Sequence, residues 1–296
     1  MRETRYGLDV YFGDGINSNV IIDPVNKIYF DASGVMPKID EAYTGYLTHD
    51  HPDHVWIKNL KGILYLPENN NSLNNPDMNA RINHAENMFK DDLGIYPGIL
   101  GTKAFLYTNY AIALVDYVIH KKQYTNLQIK TFRNEQTIND ITCYILGGHS
   151  ADTTIYILER DDKRIGITGD TLYRNSASNS YKTRDADLNN SILADMKIAT
   201  LGLDVIMPGH GPVIEGKDKI KEMYTNSMNW EINEEQVMLN LTKKEGGTNI
   251  KEIKKLRGYE GRSDMGYGRP FAFAKQALKQ GLIIIEKKQL IYNYLK

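Results

Sequence analysis

Short apolar runs alternate with polar turns rich in glycine, proline and asparagine over most of this chain. Gly7–Phe12, Ser18–Ile22 and Lys27–Phe30 carry β-branched and aromatic residues and read as strands, with Asp23-Pro24-Val25-Asn26 as the turn between the second and third. Asp31-Ala32-Ser33-Gly34 closes the third. Glu41–Leu47 and Ile63–Leu66 read as two more strands, the latter stopped by Pro67. An Asn-rich loop, Glu68–Pro76, follows, and then helical composition from Pro76 to Lys90 and helical spacing over Thr102–Lys122. Strands resume at Gln128–Phe132, and three further apolar runs occur at Thr142–Leu146, Arg164–Thr168 and Leu203–Met207. An amphipathic helix over Asn189–Leu201 delivers the chain to the last of these. The C-terminal pattern differs: helices over Asn233–Lys244, Asn249–Leu256 (capped by Thr248) and Pro270–Gln280, then a hairpin of Leu282–Glu286 and Gln289–Tyr294 around Lys287-Lys288. Strands alternating with helices predict an α/β fold.

The candidate chemistry sits at the ends of the apolar runs. Leu47-Thr48-His49-Asp50-His51-Pro52-Asp53-His54 gathers three of the chain's 7 histidines. Imidazole and carboxylate are the ligands that borderline divalent metals favour. A proline within the motif predicts a loop after a strand, and a loop can turn alternate side chains to opposite sides of a point. Three later stretches each set one His or Asp beside glycine: Gly147-Gly148-His149-Ser150, Thr168-Gly169-Asp170-Thr171-Leu172-Tyr173 and Pro208-Gly209-His210-Gly211-Pro212. Each follows one of the apolar runs, so strand, glycine turn and ligand are expected to recur three times. His84 and His120 fall in the expected helices of residues 76–122 and read as surface or packing residues.

These HxHxDH, GH, GD and PGHGP motifs, spread over about residues 7 to 215, resemble the metallo-β-lactamase fold superfamily of dinuclear hydrolases. The resemblance implies a four-layer αββα sandwich, two mixed sheets face to face with helices outside. It implies that His49, His51 and His149 hold one metal, that Asp53, His54 and His210 hold a second, and that Asp170 bridges them. Zn²⁺ is the expected ion, with Fe or Mn also compatible with the ligand set. Two ions, two carboxylates and a bridging hydroxide leave the centre with a net charge of roughly +1, suited to an anionic transition state. Asp53 is a candidate proton acceptor as well as a ligand. Tyr173 either packs or, as in lactone-hydrolysing members, donates a hydrogen bond to the substrate carbonyl, and it stands with Asp53 as a candidate catalytic residue. Arg174 is read as exposed. The segment 68–125 carries no motif, and insertions there often shape the substrate pocket in this superfamily.

Composition narrows the classes. The 41% hydrophobic and 25% charged residues are ordinary globular values, and no apolar run is long enough to span a membrane. Met1–Tyr6 lacks the apolar core of a signal peptide, and the single Cys143 excludes an intrachain disulfide; a cytoplasmic location is the expectation. Cys143 itself reads as a packed strand residue. Net charge is -1 over the chain, but residues 243–296 hold 13 Lys/Arg against 5 Asp/Glu, which leaves residues 1–242 acidic. That asymmetry suggests two modules, a catalytic domain over 1–228 and a basic, winged-helix-like domain over 229–296. The expected activity is hydrolysis of a small ester, thioester or lactone, the acyl compound being the expected partner. The Gly-Asp-Thr-Leu-Tyr and Pro-Gly-His-Gly-Pro stretches resemble the glyoxalase II-like branch most. Cleavage of single-stranded RNA is the alternative, because one ribonuclease branch joins this hydrolase to a winged helix. A mononuclear iron dioxygenase and a homodimer contact are the remaining readings.

Overall fold

The computed structural model describes residues 1–14, 17–51, 53–70, 127–173, 187–243, 247–256, 273–274, 276–286 and 289–292. Seven strands form a first sheet in chain order: β1 (Arg2–Arg5), β2 (Leu8–Tyr11), β3 (Val20–Asp23), β4 (Ile28–Phe30), β5 (Thr44–Tyr46), β6 (Ile63–Pro67) and β7 (Gln128–Phe132). Neighbours are antiparallel from β1 to β4 and parallel from β4 to β7. A second sheet holds β8 (Gln136–Ile138), β9 (Ile141–Ile145), β10 (Thr154–Arg160), β11 (Lys163–Tyr173), β12 (Val205–His210) and β13 (Ile214–Glu215), again side by side in chain order. Its one parallel pair, β11 with β12, is joined by a crossover through α1 (Leu188–Thr200), as a parallel connection requires. The two-residue turns Asn139-Asp140 and Asp161-Asp162 hold positive φ at both positions, the conformation that matches the twist of a tight hairpin.

Period-2 alternation sorts each strand's side chains between two cores. From β3, Ile21 points between the sheets while Val20 and Ile22 pack on the outer face; from β10, Tyr156 and Leu158 point inward and Ile155 and Ile157 outward. Residues of both sheets, among them Phe30, Tyr46, Phe132, Cys143, Ile167 and Met207, share the central core, so the sheets pack face to face. Cys143 is fully buried there, and burial pushes its thiol up to about 12, which makes it a packing residue. The outer face of the second sheet is covered by α1 and by α2 (Lys217–Thr242). Over the outer face of the first sheet, the described residues are the loops of 32–60 and a 3-10 turn at Ile57–Asn59. The helices expected over 76–90 and 102–122, with His84 and His120, lie outside the described residues.

Three expectations change. The helix expected at Asn233–Lys244 is the C-terminal half of α2, which starts at Lys217. Its buried positions, Ile220, Tyr224, Ser227, Glu231, Glu234, Met238 and Thr242, follow helical spacing, but the middle ones are polar. The hydrophobic stripe therefore breaks where the helix does not, and the boundary drawn at 228/229 falls inside one continuous helix. The cap of α3 (Ile250–Leu256) is Asn249, whose Oδ1 accepts from the Glu252 N–H at 2.9 Å, while Thr248 bonds the Glu252 carboxylate. Finally, Asp170 and His210 lie within β11 and β12 rather than in turns after them, because the pairing of these strands continues through register shifts at Gly169. Residues 273–274 and 276–279 are helical, and β14 (Ile283–Glu286) and β15 (Gln289–Tyr292) form the terminal hairpin. Met238 of α2 packs with Ile253, Phe273, Ala277, Ile283 and Leu290, so one helix roots both the second sheet and this C-terminal cluster.

Candidate metal centre

The site begins in the central core. Tyr46, Phe30 and Tyr156 form an aromatic cluster with ring centroids 5.4–5.6 Å apart, each contact worth about 0.5–1.5 kcal/mol beyond burial. From it the Tyr156 hydroxyl donates to the Leu47 carbonyl, and the Thr154 N–H donates to the Thr48 carbonyl at 2.8 Å. The backbone leading into His49 is thus held by the opposite sheet. Past His49 the chain turns on itself, with the His54 and Val55 N–H groups both donating to the His51 carbonyl. That turn brings Asp53 and His54 into a different donor group from His49 and His51, although the His49 and His54 rings stay 4.0 Å apart.

Two groups of donor atoms result, each with its atoms within 4.8 Å of one another: His49, His51 and His149 in one, and Asp53, His54, Asp170 and His210 in the other. In the first, His51 Nδ1 and His149 Nε2 are 2.9 Å apart. In the second, Asp170 Oδ1 lies 3.1 Å from His54 Nε2 and 3.5 Å from His210 Nε2, and Asp53 Oδ2 lies 3.1 Å from His210 Nε2. The other oxygen of Asp170, Oδ2, lies 3.6 Å from His149 Nε2. Its two oxygens are therefore divided between the two groups. All seven residues named from the sequence come together here.

The supporting contacts are the part that motif reading did not assign. Asp31, held in the left-handed region (φ 60) just after β4, accepts from the Thr48 N–H at 2.8 Å and meets His54 Nδ1 at 2.8 Å. With Nδ1 engaged, His54 turns Nε2 toward Asp170 and His210. The only signal in the sequence was the Asp-Ala-Ser-Gly stretch at a strand end. Asp187, the N-cap of α1, donates its N–H to the Gly148 carbonyl beside His149. A Cβ at Gly209 would lie 2.5 Å from Asp170 Oδ1 and 2.7 Å from His54 Cε1, so any larger residue there would displace these two side chains.

Burial and charge fit this donor set to a cation. His49 is fully buried, and its Nε2 has no hydrogen-bond partner, an arrangement costly for a polar atom unless something binds it. Burial, together with His54, His51 and His149, holds the His49 pKa well below the usual histidine value, so the ring is neutral and its nitrogens can ligate. Burial opposes charge on His54, but Asp170, Asp31 and Asp53 outweigh it and raise its pKa well above the usual value. Burial likewise disfavours ionised Asp170, yet His54, His210 and His149 hold its pKa well below the usual carboxylate range. Carboxylates poised as anions against clustered imidazoles are what a divalent ion displacing protons would meet. Asp53 stands apart in being 33% exposed, so the centre opens to solvent on its side. The Tyr173 backbone pairs with His210 across β11 and β12; its side chain, and all of Arg174, lie outside the described residues.

No protein-family profile and no curated protein matches the sequence. Solved structures do match in fold. A metallo-beta-lactamase family protein from Thermus thermophilus is 13% identical, with a TM-score of 0.60 over 97% of this chain and 93% of that one. A beta-lactamase domain protein from Burkholderia ambifaria is 11% identical, with a TM-score of 0.67 over 98% of this chain and 94% of that one. The chain has the α/β metallo-β-lactamase fold, and the likeness runs over nearly its whole length.

Proposed function

We propose that this chain is a dinuclear metal-dependent hydrolase of a small ester, thioester or lactone, of the glyoxalase II-like type. The observation that carries the reading is the division of the Asp170 carboxylate, with Oδ1 toward His54 and His210 and Oδ2 toward His149. A carboxylate so divided suits two ions and is wasted on one. His49, His51 and His149 would hold the first ion, and Asp53, His54 and His210 the second, with Asp170 between them; Zn²⁺ suits the nitrogen-rich set, and Fe or Mn remains compatible. Such ions lower the pKa of water and stabilise a developing oxyanion. Asp53, partly exposed at the mouth, is suited to exchange protons with solvent and is assigned as proton acceptor. Asp31 keeps His54 in the tautomer that leaves Nε2 free to ligate. Ser150 is not aimed as a nucleophile, since its hydroxyl donates to Asp152 at 2.6 Å. Tyr173 is assigned as a hydrogen-bond donor to the substrate carbonyl.

The same reading takes the fold as a four-layer αββα sandwich, and residues 229–296 as a winged-helix-like module continuous with α2. RNA cleavage is the second reading, favoured by the 13 Lys/Arg against 5 Asp/Glu of residues 243–296. Metal analysis of purified protein together with a panel of thioesters, lactones, phosphodiesters and single-stranded RNA tests both. About two equivalents per chain and chelator-sensitive acyl hydrolysis are expected. One reproducible equivalent under metal-replete conditions would return the chain to the mononuclear dioxygenase reading.

A further inference from the structure

Beyond the ligands themselves, the Ser18-Asn19 pair joins two distant parts of the site. Asn19 is 2% exposed and stands immediately before β3. Its Nδ2 donates to the Pro208 carbonyl at 2.9 Å and to the Gly211 carbonyl at 2.8 Å, while its Oδ1 accepts from the Gly13 N–H at 2.9 Å. Its backbone N–H donates to the Gly209 carbonyl at 2.6 Å. His210 therefore sits in a stretch whose carbonyls on both sides are held by one amide. The preceding residue reaches the other carboxylate ligand: the Ser18 N–H donates to the Asp53 carbonyl at 3.0 Å, and the Ser18 carbonyl accepts from the Ser33 hydroxyl at 2.7 Å.

We propose that Asn19 is a positioning residue for His210, and that Ser18-Asn19 acts as the spacer setting Asp53 against His210. The inference rests on the metal centre proposed above and adds a residue to it. Asp53 comes from a loop of the first sheet and His210 from a strand of the second, and their ligand atoms approach to 3.1 Å. Two sheets packed through side chains alone can slide by fractions of an ångström, and metal ligation does not tolerate that. Ser18-Asn19 ties both ligand segments to one point of backbone. Losing the Asn19 side chain frees the Pro208 and Gly211 carbonyls on either side of His210, which loosens the second ligand group and leaves His49, His51 and His149 in place. The required chemistry is specific: two N–H donors on one side and an acceptor on the other, which an amide supplies and a carboxylate of the same shape does not.

The test uses the full chain in wild-type, Asn19→Ala, Asn19→Ser and Asn19→Asp forms. Each is first checked for folding by circular dichroism and thermal unfolding of the metal-free protein, then titrated with Zn²⁺ or Co²⁺. Asn19→Ala should weaken the second equivalent by about 10–100-fold, the scale of losing a group that orients a ligand, with the first equivalent within about twofold of wild type. Asn19→Asp, matched in shape but facing two carbonyls with oxygen, should bind the second equivalent no better than Asn19→Ala. Asn19→Ser keeps one donor, should fall between, and carries the test if the alanine variant does not fold. A second readout needs no metal: the His210 imidazole resonances of the metal-free protein should shift or broaden in the variants while those of His49 hold. Unchanged His210 resonances in a folded variant, or recovery of wild-type binding by Asn19→Asp, overturns the inference. A single equivalent in wild type would instead count against the dinuclear reading, and the resonances would still judge Asn19.

Discussion

At the scale of single residues the centre is asymmetric. Six of the seven ligand-type residues are buried, and Asp53 alone is partly exposed. Asp170 meets both donor groups, whereas the closest partners of Asp53 belong to one. Removing the two carboxylates should therefore have unequal effects. In metal titrations Asp170→Ala should weaken both equivalents, each by about tenfold or more, while Asp53→Ala weakens mainly one. Equal, single-equivalent losses in the two variants would contradict the assignment of Asp170 as the bridge. The seven ligand-type residues were legible in the sequence because histidine is rare and each sits beside glycine or within one short motif. Asp31 and Asn19 were not, because an Asp or Asn at a strand end is common, and only the approach of segments distant in sequence gives either a role.

At the scale of elements, α2 is the piece whose character the sequence concealed. It buries Tyr224, whose hydroxyl lies 3.0 Å from Thr171 Oγ1, next to Asp170. One turn further on it meets α1 through polar groups: Asp195 of α1 is 1% exposed and faces Ser227 and Glu231. Burial, then repulsion from Glu231, raises the Asp195 pKa well above the usual carboxylate value. The sign follows from linkage. A folded pKa above the unfolded one favours the native state at acidic pH, and that advantage is lost as pH rises through the folded pKa. Asp195→Asn keeps the shape without the ionisation, so it should raise Tm at pH 8 by about 2 °C or more and matter little near pH 4. Thermal scans of both proteins from pH 4 to 9 check this; a difference that is flat or grows toward acid would refute it. The same polar stripe explains why helical spacing was read only from residue 233 onward.

At the scale of the whole molecule, α2 changes how the two-module picture can be tested. The helix runs from Lys217 to Thr242 and contributes Ile220 and Tyr224 to one core and Met238 to another. Cutting at residue 228 would split it, so any test of RNA binding uses the intact chain. If RNA is the substrate, the basic C-terminal region must gain affinity by releasing counterions. Binding should then fall steeply between about 50 and 200 mM salt, with a log–log slope near -0.7 per phosphate neutralised on a single strand. Reversing exposed Lys255 to Glu should reduce both affinity and slope while leaving ester turnover within about twofold. No measurable affinity at the low-salt end would remove the ribonuclease reading and leave acyl hydrolysis. Among the described residues no helix is long and apolar enough to cross a membrane.

What the sequence determined by itself is local. Period-2 alternation marked most strands, glycine and histidine spacing marked the ligand-type residues, and the terminal hairpin followed from Leu282–Tyr294. These signals need only neighbours in the chain. The tertiary structure decided what depends on residues far apart: that Asp170 and His210 lie inside paired strands, that α2 is continuous through its polar stretch, and that Asn19 reaches Pro208 and Gly211, 189 and 192 residues away. A buried Glu or Ser reads as surface until the partner packed against it is known, and a backbone carbonyl accepting from Asn19 leaves no mark on the side-chain sequence at all.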